Sequence, residues 1–401
     1  MAQIGAREWL AVLGVITRRR LTRFGDIPGE LDRFEAKLCD RFGVPHALTV
    51  NSGTSALICA LAAAGIGPGD EVIVPAYTWM STAAAPIHLG AVPIFAEIND
   101  TLTIDPDDVE RKITPWTRAI VPVHMINTPC DMEAILRIAR RHRLLVIEDA
   151  CQAVGVRYRD RRCGSMGDLG AFSFNQFKNI TSGEGGAVLA TTPRLFERAR
   201  NYHDVGAFIR GHQPLTDEPA FVGQNYRVSE MVGAILNVQL EGLEKSMARL
   251  AHRRRLAAAC LEGVPGLTIA PHNDPAQAVS LCVQTDSSRV RQALEETPGV
   301  YPLSDNSKHI YANWTPILDR VTVHPDLNPW ARAHREIVYS ADMCPRTLSI
   351  LNRTYRIDLT GRLPSLLLER RLKRLASTLS EHGASSAKER WATAAQARRM
   401  S

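Results

Sequence analysis

Between Val44 and Thr191 short apolar runs alternate with segments of helical period. "HALTV" (46–50) precedes "SGTSALICALAAAG", "EVIVPA" (71–76) precedes "TWMSTAAAPIHLG", and "VPIFAEI" (92–98) precedes "DPDDVERKI". "RAIVPVH" (118–124) leads into "DMEAILRIARRH", and "LLVIEDA" (144–150), "LGAFSF" (169–174) and "GGAVLA" (185–190) complete the series. Near-continuous apolar strands mark a sheet covered on both faces. Connections of helical length require crossovers, not hairpins. The pattern predicts an α/β fold built on a mostly parallel seven-stranded sheet flanked by helices. Punctuation agrees with it. "GIGPGDE" (65–71) is a turn before a strand, Pro106 suits the first turn of a helix followed by acids, and Asp131 is a candidate N-cap.

After "NYRVSEM" the character changes. A long helical stretch runs to Leu261 and must bend or break between Val228 and Leu261. Beyond it, "AVSLCVQT" (278–285) and "TYRIDLT" (354–360) read as strands, with "SSRVRQALEE" as a helix between them. The expected organisation is an N-terminal helical segment (1–24), a large domain (25–245), a smaller C-terminal α/β domain (246–380) and a tail (381–401) with few apolar anchors, read as mobile. A chain of 401 residues with 45% hydrophobic content is long enough for two such units.

The formal charge of +6 would suit a nucleic-acid binder. However, the runs at 18–20, 253–255 and 370–374 fall in helical segments, where solvated faces explain them, and no zinc-finger spacing or aromatic-rich RNA motif accompanies them. No nucleic-acid partner is expected; a mildly basic enzyme with an acidic substrate fits as well. Eight cysteines without a C-x-x-C spacing read as reduced thiols of a cytoplasmic protein. The opening "MAQIGAREWLAVLGVITRRR" puts its arginines after the apolar run, the wrong order for a signal peptide, and reads as a short amphipathic helix. No apolar stretch reaches membrane-spanning length.

Four segments carry candidate chemistry. In "NSGTSAL" a strand gives way to a helix whose first amides lack internal partners; Gly53, Thr54 and Ser55 can hold a phosphate there, or simply cap a helix. Trp79 lies at a strand's C-terminal end, where ligands bind in open α/β sheets, and can cover a planar ring or pack in the core. "VIEDACQ" ends a strand on Glu148 and Asp149, which alternation sends to opposite faces; one should share Trp79's crevice and meet a protonated ring nitrogen, with Gln152 beside a ring hydroxyl. Lys178, in "FSFNQFKNITSGEGG", can pair with Asp149 or form a Schiff base. Phosphate grip, stacking ring, carboxylate and amine at successive strand ends together describe a pyridoxal 5′-phosphate pocket.

With "GDEVIVPAYTW", "VPVHMINTPCDM", "GDLGAFSFNQFKNITSGEGGAV" and "GQNYRVSEMVGAILNVQLEGLE" added, the chain resembles the DegT/StrS-type sugar aminotransferases over roughly residues 25–245. The resemblance implies the pyridoxal phosphate-dependent transferase fold type I. It also implies that Lys178 holds the cofactor, Asp149 meets the pyridine nitrogen, Gln152 lies beside the ring oxygen and Trp79 stacks on the ring. Gly53, Thr54 and Ser173 are implied as phosphate ligands, with Asn225 reaching the phosphate of a neighbouring subunit in a homodimer. The implied reaction passes an amino group from glutamate or glutamine to a carbonyl sugar or cyclitol. Relatives that dehydrate sugars have histidine at the lysine position, which Lys178 argues against. A lyase or oxidase on the same fold and a non-catalytic regulatory relative stand as alternatives. The acceptor side departs from the family: "VHMINTPCDM" replaces "VHLYG", so that His124, Asn127, Thr128 and Cys130 either line a different pocket or form a packed strand end and turn.

Overall fold

The computed structural model describes residues 4–23, 28–206, 214–305, 307–359 and 366–380. Seven strands form the large sheet: β1 (His46–Val50), β2 (Glu71–Pro75), β3 (Val92–Ala96), β4 (Thr117–Ile120), β5 (Leu145–Asp149), β6 (Leu169–Ser173) and β7 (Gly186–Ala190). Their order is β1-β7-β6-β5-β4-β2-β3. All neighbours are parallel except β7, which runs antiparallel to both β1 and β6. The mostly parallel seven-stranded sheet expected from the hydrophobic pattern is therefore present.

The helices introduced below are α1 (Ala6–Thr17), α2 (Glu30–Phe42), α3 (Gly53–Ala63), α4 (Ser81–His88), α5 (Pro106–Lys112), α6 (Met132–His142), α7 (Pro193–His203), α8 (Glu230–Glu241), α9 (Leu243–Leu261), α10 (Ser288–Glu295) and α11 (Pro345–Asn352). Alternation along β2 sends Val72 and Val74 into the layer that holds α3, and Ile73 into the opposite layer. Both faces of the sheet are thereby covered. In α3 every residue but Thr54 is buried, as a helix apolar on all sides must be. Asp105 caps α5 ahead of Pro106, and Asp131 caps α6 by accepting from Ala134 N at 3.1 Å. The long helical stretch breaks at Gly242, which ends α8 and starts α9.

Two arginine runs differ from the expected solvated helix faces. Residues 18–20 follow the end of α1, and Arg253 is buried, donating to Leu359 O at 2.8 Å. A buried guanidinium needs such an acceptor.

The smaller sheet comprises β8 (Thr268–Ile269), β9 (Leu281–Gln284), β10 (Val300–Pro302) and β11 (Thr354–Ile357), in the order β8-β9-β11-β10, all antiparallel. A helix over 366–380 packs Leu368, Leu372, Leu375 and Leu379 into the main core. The tail expected from residue 381 lies outside the described residues. The C-terminal part is fastened to the large sheet at several points. Glu97, just past β3, accepts from Arg346 N at 3.1 Å and Thr347 N at 2.7 Å at the start of α11. Arg335 makes a two-pronged contact with Glu71, Nε–Oε1 2.6 Å and Nη2–Oε2 3.2 Å. Arg353 pairs with Asp100 at 2.6 Å, and Arg346 pairs with Asp105.

Candidate active site

Asp149 is the last residue of β5 and is buried. Its Oδ2 accepts from Thr82 Oγ1 at 2.7 Å, and Thr82 shares a second hydroxyl contact with Thr78 at 2.7 Å. Its Oδ1 accepts from Cys151 N at 3.1 Å. Thr78 and Thr82 flank Trp79, so Asp149 is the carboxylate on the Trp79 side. Glu148 points the other way. It is fully buried against His124 Nε2 at 2.8 Å and the amides of Gly164, Met166 and Gly167. Strand alternation separates the two carboxylates as expected.

Trp79 is exposed, and its ring centroid lies 5.5 Å from that of His309. His309 comes from the C-terminal part of the chain. Its carbonyl accepts from Thr78 N at 2.9 Å, which clips residues 309–311 onto the end of β2. Gln152 lies between two partners: its Oε1 accepts from Ile126 N at 3.2 Å, and its Nε2 is 3.3 Å from His309 Nε2. Since the amide nitrogen donates, His309 Nε2 accepts, and the ring proton falls on Nδ1, a buried atom without a partner. Burial and the charge of Lys178 push His309 down to about 4. Ile126 holds φ 45°, a left-handed conformation that costs a β-branched residue energy and turns its amide towards Gln152.

Lys178 sits in the turn between β6 and β7. That turn is closed by Phe174 N to Gly185 O at 2.8 Å and Gln176 N to Gly183 O at 3.0 Å. Among the described residues Lys178 Nζ makes no ion pair and no hydrogen bond, so the Asp149–Lys178 salt bridge does not form. Its charge acts on both Cys151 and His309, next to Asp149 and Gln152 respectively. Burial raises the Cys151 thiol well above its usual range, and Asp149 adds to the effect.

At the start of α3, Ser52 Oγ accepts from Ser55 N at 3.1 Å, and Ser55 Oγ donates to Asn51 Oδ1 at 2.6 Å. The polar groups of Ser55 are thus turned into the cap. The amides of Gly53 and Thr54 remain outside the helix's own ladder. Thr54 Oγ1 lies 2.8 Å from Ser81 Oγ, and Ser173 ends β6 beside them. A Cβ on Gly53 would lie 2.8 Å from Ser173 Cβ and 2.9 Å from Cys151 Sγ. Only glycine permits this approach of helix start to strand end. Open helix amides, flanking hydroxyls, a buried acceptor carboxylate and an unpaired amine form a donor set that fits pyridoxal phosphate.

Among the described residues Asn225 makes no contact with Lys178 or Asp149, although its neighbour Tyr226 accepts from Asn51 N at 2.9 Å beside the α3 cap. Asn225 lines a separate cavity of about 410 Å³ with Arg23, Thr49, His203 and Arg227. His124, Asn127, Thr128 and Cys130 form a packed strand end and turn: His124 and Cys130 are buried, Asn127 Oδ1 accepts from Asn179 at 2.7 Å, and Thr128 meets Ser280 at 3.1 Å. Sequence reasoning missed His309, Thr82 and Ser52. Ser52 had a signal, a serine directly before a helix start. A lone histidine far along the chain had none.

The family model for DegT/DnrJ/EryC1/StrS aminotransferases matches residues 3–297. An L-glutamine:2-deoxy-scyllo-inosose aminotransferase of Streptomyces kanamyceticus is 38% identical over 58% of this chain and 56% of its own. A dTDP-3-amino-3,4,6-trideoxy-alpha-D-glucose transaminase of Streptomyces venezuelae is 42% identical over 61% of this chain and 65% of its own. The chain thus spans less than two thirds of these curated relatives. Among solved structures, S. venezuelae DesV in complex with a ketimine intermediate shares 32% identity with a TM-score of 0.72, covering 92% of this chain and 94% of that one. A 3-amino-5-hydroxybenzoic acid synthase shares 25% identity with a TM-score of 0.76, covering 96% and 97%. Enzymes of this group depend on pyridoxal phosphate. The chain belongs to the DegT/DnrJ/EryC1/StrS aminotransferase family.

Proposed function

We propose that the protein is a pyridoxal phosphate-dependent aminotransferase that moves an amino group from glutamate or glutamine to a keto or aldehyde sugar, sugar acid or cyclitol. The observation that carries this reading is that the unpaired amine of Lys178 and the buried Asp149 carboxylate both act on Cys151, which donates its amide to Asp149. When bound, pyridoxal phosphate supplies the electron sink through which an amino group can leave one carbon skeleton and join another.

The chain's own residues do the rest. The Gly53 and Thr54 amides, with the Thr54 and Ser173 hydroxyls, hold a phosphate at the start of α3. Asp149 holds a proton on the ring nitrogen, and its contacts with Thr82 and Cys151 N keep it aimed. Gln152, fixed between Ile126 N and His309, orients the ring through its oxygen. Trp79 covers the ring and excludes water. Lys178 Nζ accepts a proton from the donor Cα and delivers it on the other side of the transfer.

A homodimer is part of the reading. It is supported by Asn225 lining a cavity whose walls include neither Lys178 nor Asp149 and by the outward Trp9, Leu10, Leu13 and Ile16 of α1. A cytoplasmic location is supported by eight unpaired thiols. Among the described residues no helix is long and apolar enough to cross a membrane.

The test is spectroscopic. Purified protein with added cofactor is expected to show a visible band that borohydride removes, with the reduced cofactor found on the Lys178 peptide by mass spectrometry. Lys178→Ala is expected to lose both the band's covalent fixation and release of 2-oxo acid from glutamine or glutamate, while keeping its melting transition. Turnover of wild-type rate in that variant would refute the assignment.

A further inference from the structure

A small cavity of about 10 Å³ lies where α9 and the β8–β9 connection meet two loops of the large sheet, those after β3 and β4. Its walls include Thr101, Thr128, Arg254, His272 and Ser280, and among the described residues no acid lines it. The volume suits one occupant on the scale of a water molecule.

The hydrogen atoms around it can be assigned. Asp274 N donates to His272 Nδ1 at 3.0 Å, so the ring proton falls on Nε2, a buried atom without a partner. Arg254 is half-buried, and its Nε is likewise buried without a partner. Thr101 offers neither of them an acceptor. Its hydroxyl donates to Asn99 Oδ1 at 2.6 Å, so Thr103 must donate to it at 2.8 Å, and Asn273 Nδ2 approaches the same oxygen at 3.3 Å. Both lone pairs are thereby engaged. Thr128 and Ser280 share one hydroxyl contact at 3.1 Å, which uses one of their two protons and leaves the other as a further donor.

The charge has the same sign as the donors. Among the described residues Arg254 makes no ion pair; burial pulls its guanidinium below the usual range, with Glu262 opposing from longer range. Asp274 acts on His272, but its carboxylate already accepts from Arg159 N at 2.5 Å. Burial and the Arg254 charge push His272 down to about 4, so the imidazole enters as a neutral donor and not as a second cation. A water would bring two protons of its own to a wall short of acceptors and would leave the guanidinium charge uncancelled. A small anion answers both.

We infer that this cavity is a binding site for a monovalent anion of chloride size, held by Arg254 Nε, His272 Nε2 and the Thr128–Ser280 pair. Phosphate, sulfate and carboxylates are too large for it. The ion joins α9 and the β8–β9 connection to the Met125–Thr128 turn, whose Ile126 amide holds Gln152. It is a clamp between the two sheets, and it stands apart from the chemistry proposed for the crevice.

The test uses the full chain. Crystals grown without halide and soaked in sodium bromide are expected to show an anomalous peak between Arg254 and His272. Wild type is expected to melt higher in sodium chloride than in sodium gluconate of equal concentration, by on the order of 2 °C at a chloride level tenfold above the dissociation constant. Arg254→Gln and His272→Leu should each lose that difference, and Arg254→Lys should keep part of it. The bromide peak is read on wild type, so it decides whether or not a variant folds. Density at the site without anomalous signal means water and overturns the inference. A bromide peak without chloride-specific stabilisation marks an adventitious ion only and overturns it as well, as does an equal chloride response in wild type and Arg254→Gln.

Discussion

Glu148 and Asp149 are adjacent carboxylates with different duties, and exchanging each for its amide should separate stability from activity. Glu148 Oε1 accepts from Met166 N at 2.5 Å and Gly167 N at 2.6 Å, while Oε2 accepts from Gly164 N and His124 Nε2, both at 2.8 Å. However a glutamine is turned, its NH2 faces two groups that were donating. The backbone amides cannot reverse. His124 cannot either without giving up its Nδ1 bond from Cys130 N at 3.1 Å. Two charge-assisted bonds are lost in full burial, so Glu148→Gln should cost about 3–5 kcal/mol and lower the melting temperature by on the order of 10 °C. Asp149 is different. Asparagine keeps the Cys151 N contact, and its NH2 can donate to Thr82, whose hydroxyl then turns towards Thr78. Asp149→Asn should therefore melt within a few degrees of wild type. In the proposed role it loses the negative charge assigned to the ring-nitrogen proton, and kcat should fall roughly 10²–10³-fold. Thermal melts and single-turnover kinetics on both variants decide it. An unshifted melt for Glu148→Gln, or wild-type kcat for Asp149→Asn, would refute the reasoning.

Gly53→Ala forces a Cβ to within 2.8 Å of Ser173 Cβ and should weaken cofactor binding by roughly 10- to 100-fold, the scale of overpacking by about 1–3 kcal/mol; an absorbance titration with an unchanged dissociation constant would count against the cradle. Burial pushes His203, His272 and His309 each down to about 4. Above pH 6.5 these groups are neutral folded or unfolded and contribute nothing. Between pH 6.5 and about 4 the unfolded imidazoles take protons that the folded ones refuse, so stability should fall as pH falls through that window. Urea midpoints at pH 7 and 5 should show the drop, and His272→Gln should make it shallower; an identical slope in that variant would contradict the account.

Much of the large sheet was legible because its strands are short apolar runs bounded by turns and caps, and the same period-two logic sent Asp149 towards Thr82 and Glu148 away. The direction of β7 was not legible. A buried strand reads alike in either sense, and the connection over residues 174–185 that carries Lys178 is long enough to leave both senses open. The strands β8 and β10, with two and three residues, are too short to display a period. His309 was hidden for another reason: it joins Trp79 and Gln152 through a tertiary clip onto the end of β2, and no local pattern encodes that approach. Arg253 read as one of a solvated run because charge patterns do not reveal which member finds a backbone carbonyl in the interior.

The seam between the two sheets carries one more consequence. Glu71 is 3% exposed, and Arg335 and Thr114 Oγ1 answer its carboxylate; Glu97 answers the first amides of α11. Rocking one sheet against the other would leave the Glu71 carboxylate buried without its arginine, at a cost of several kcal/mol, and strip Glu97 of its two amides. Admission of bulky molecules therefore falls to exposed side chains beside the site, Trp79 among them. Broadening the range of molecules accepted calls for reshaping those side chains and leaving the joint intact.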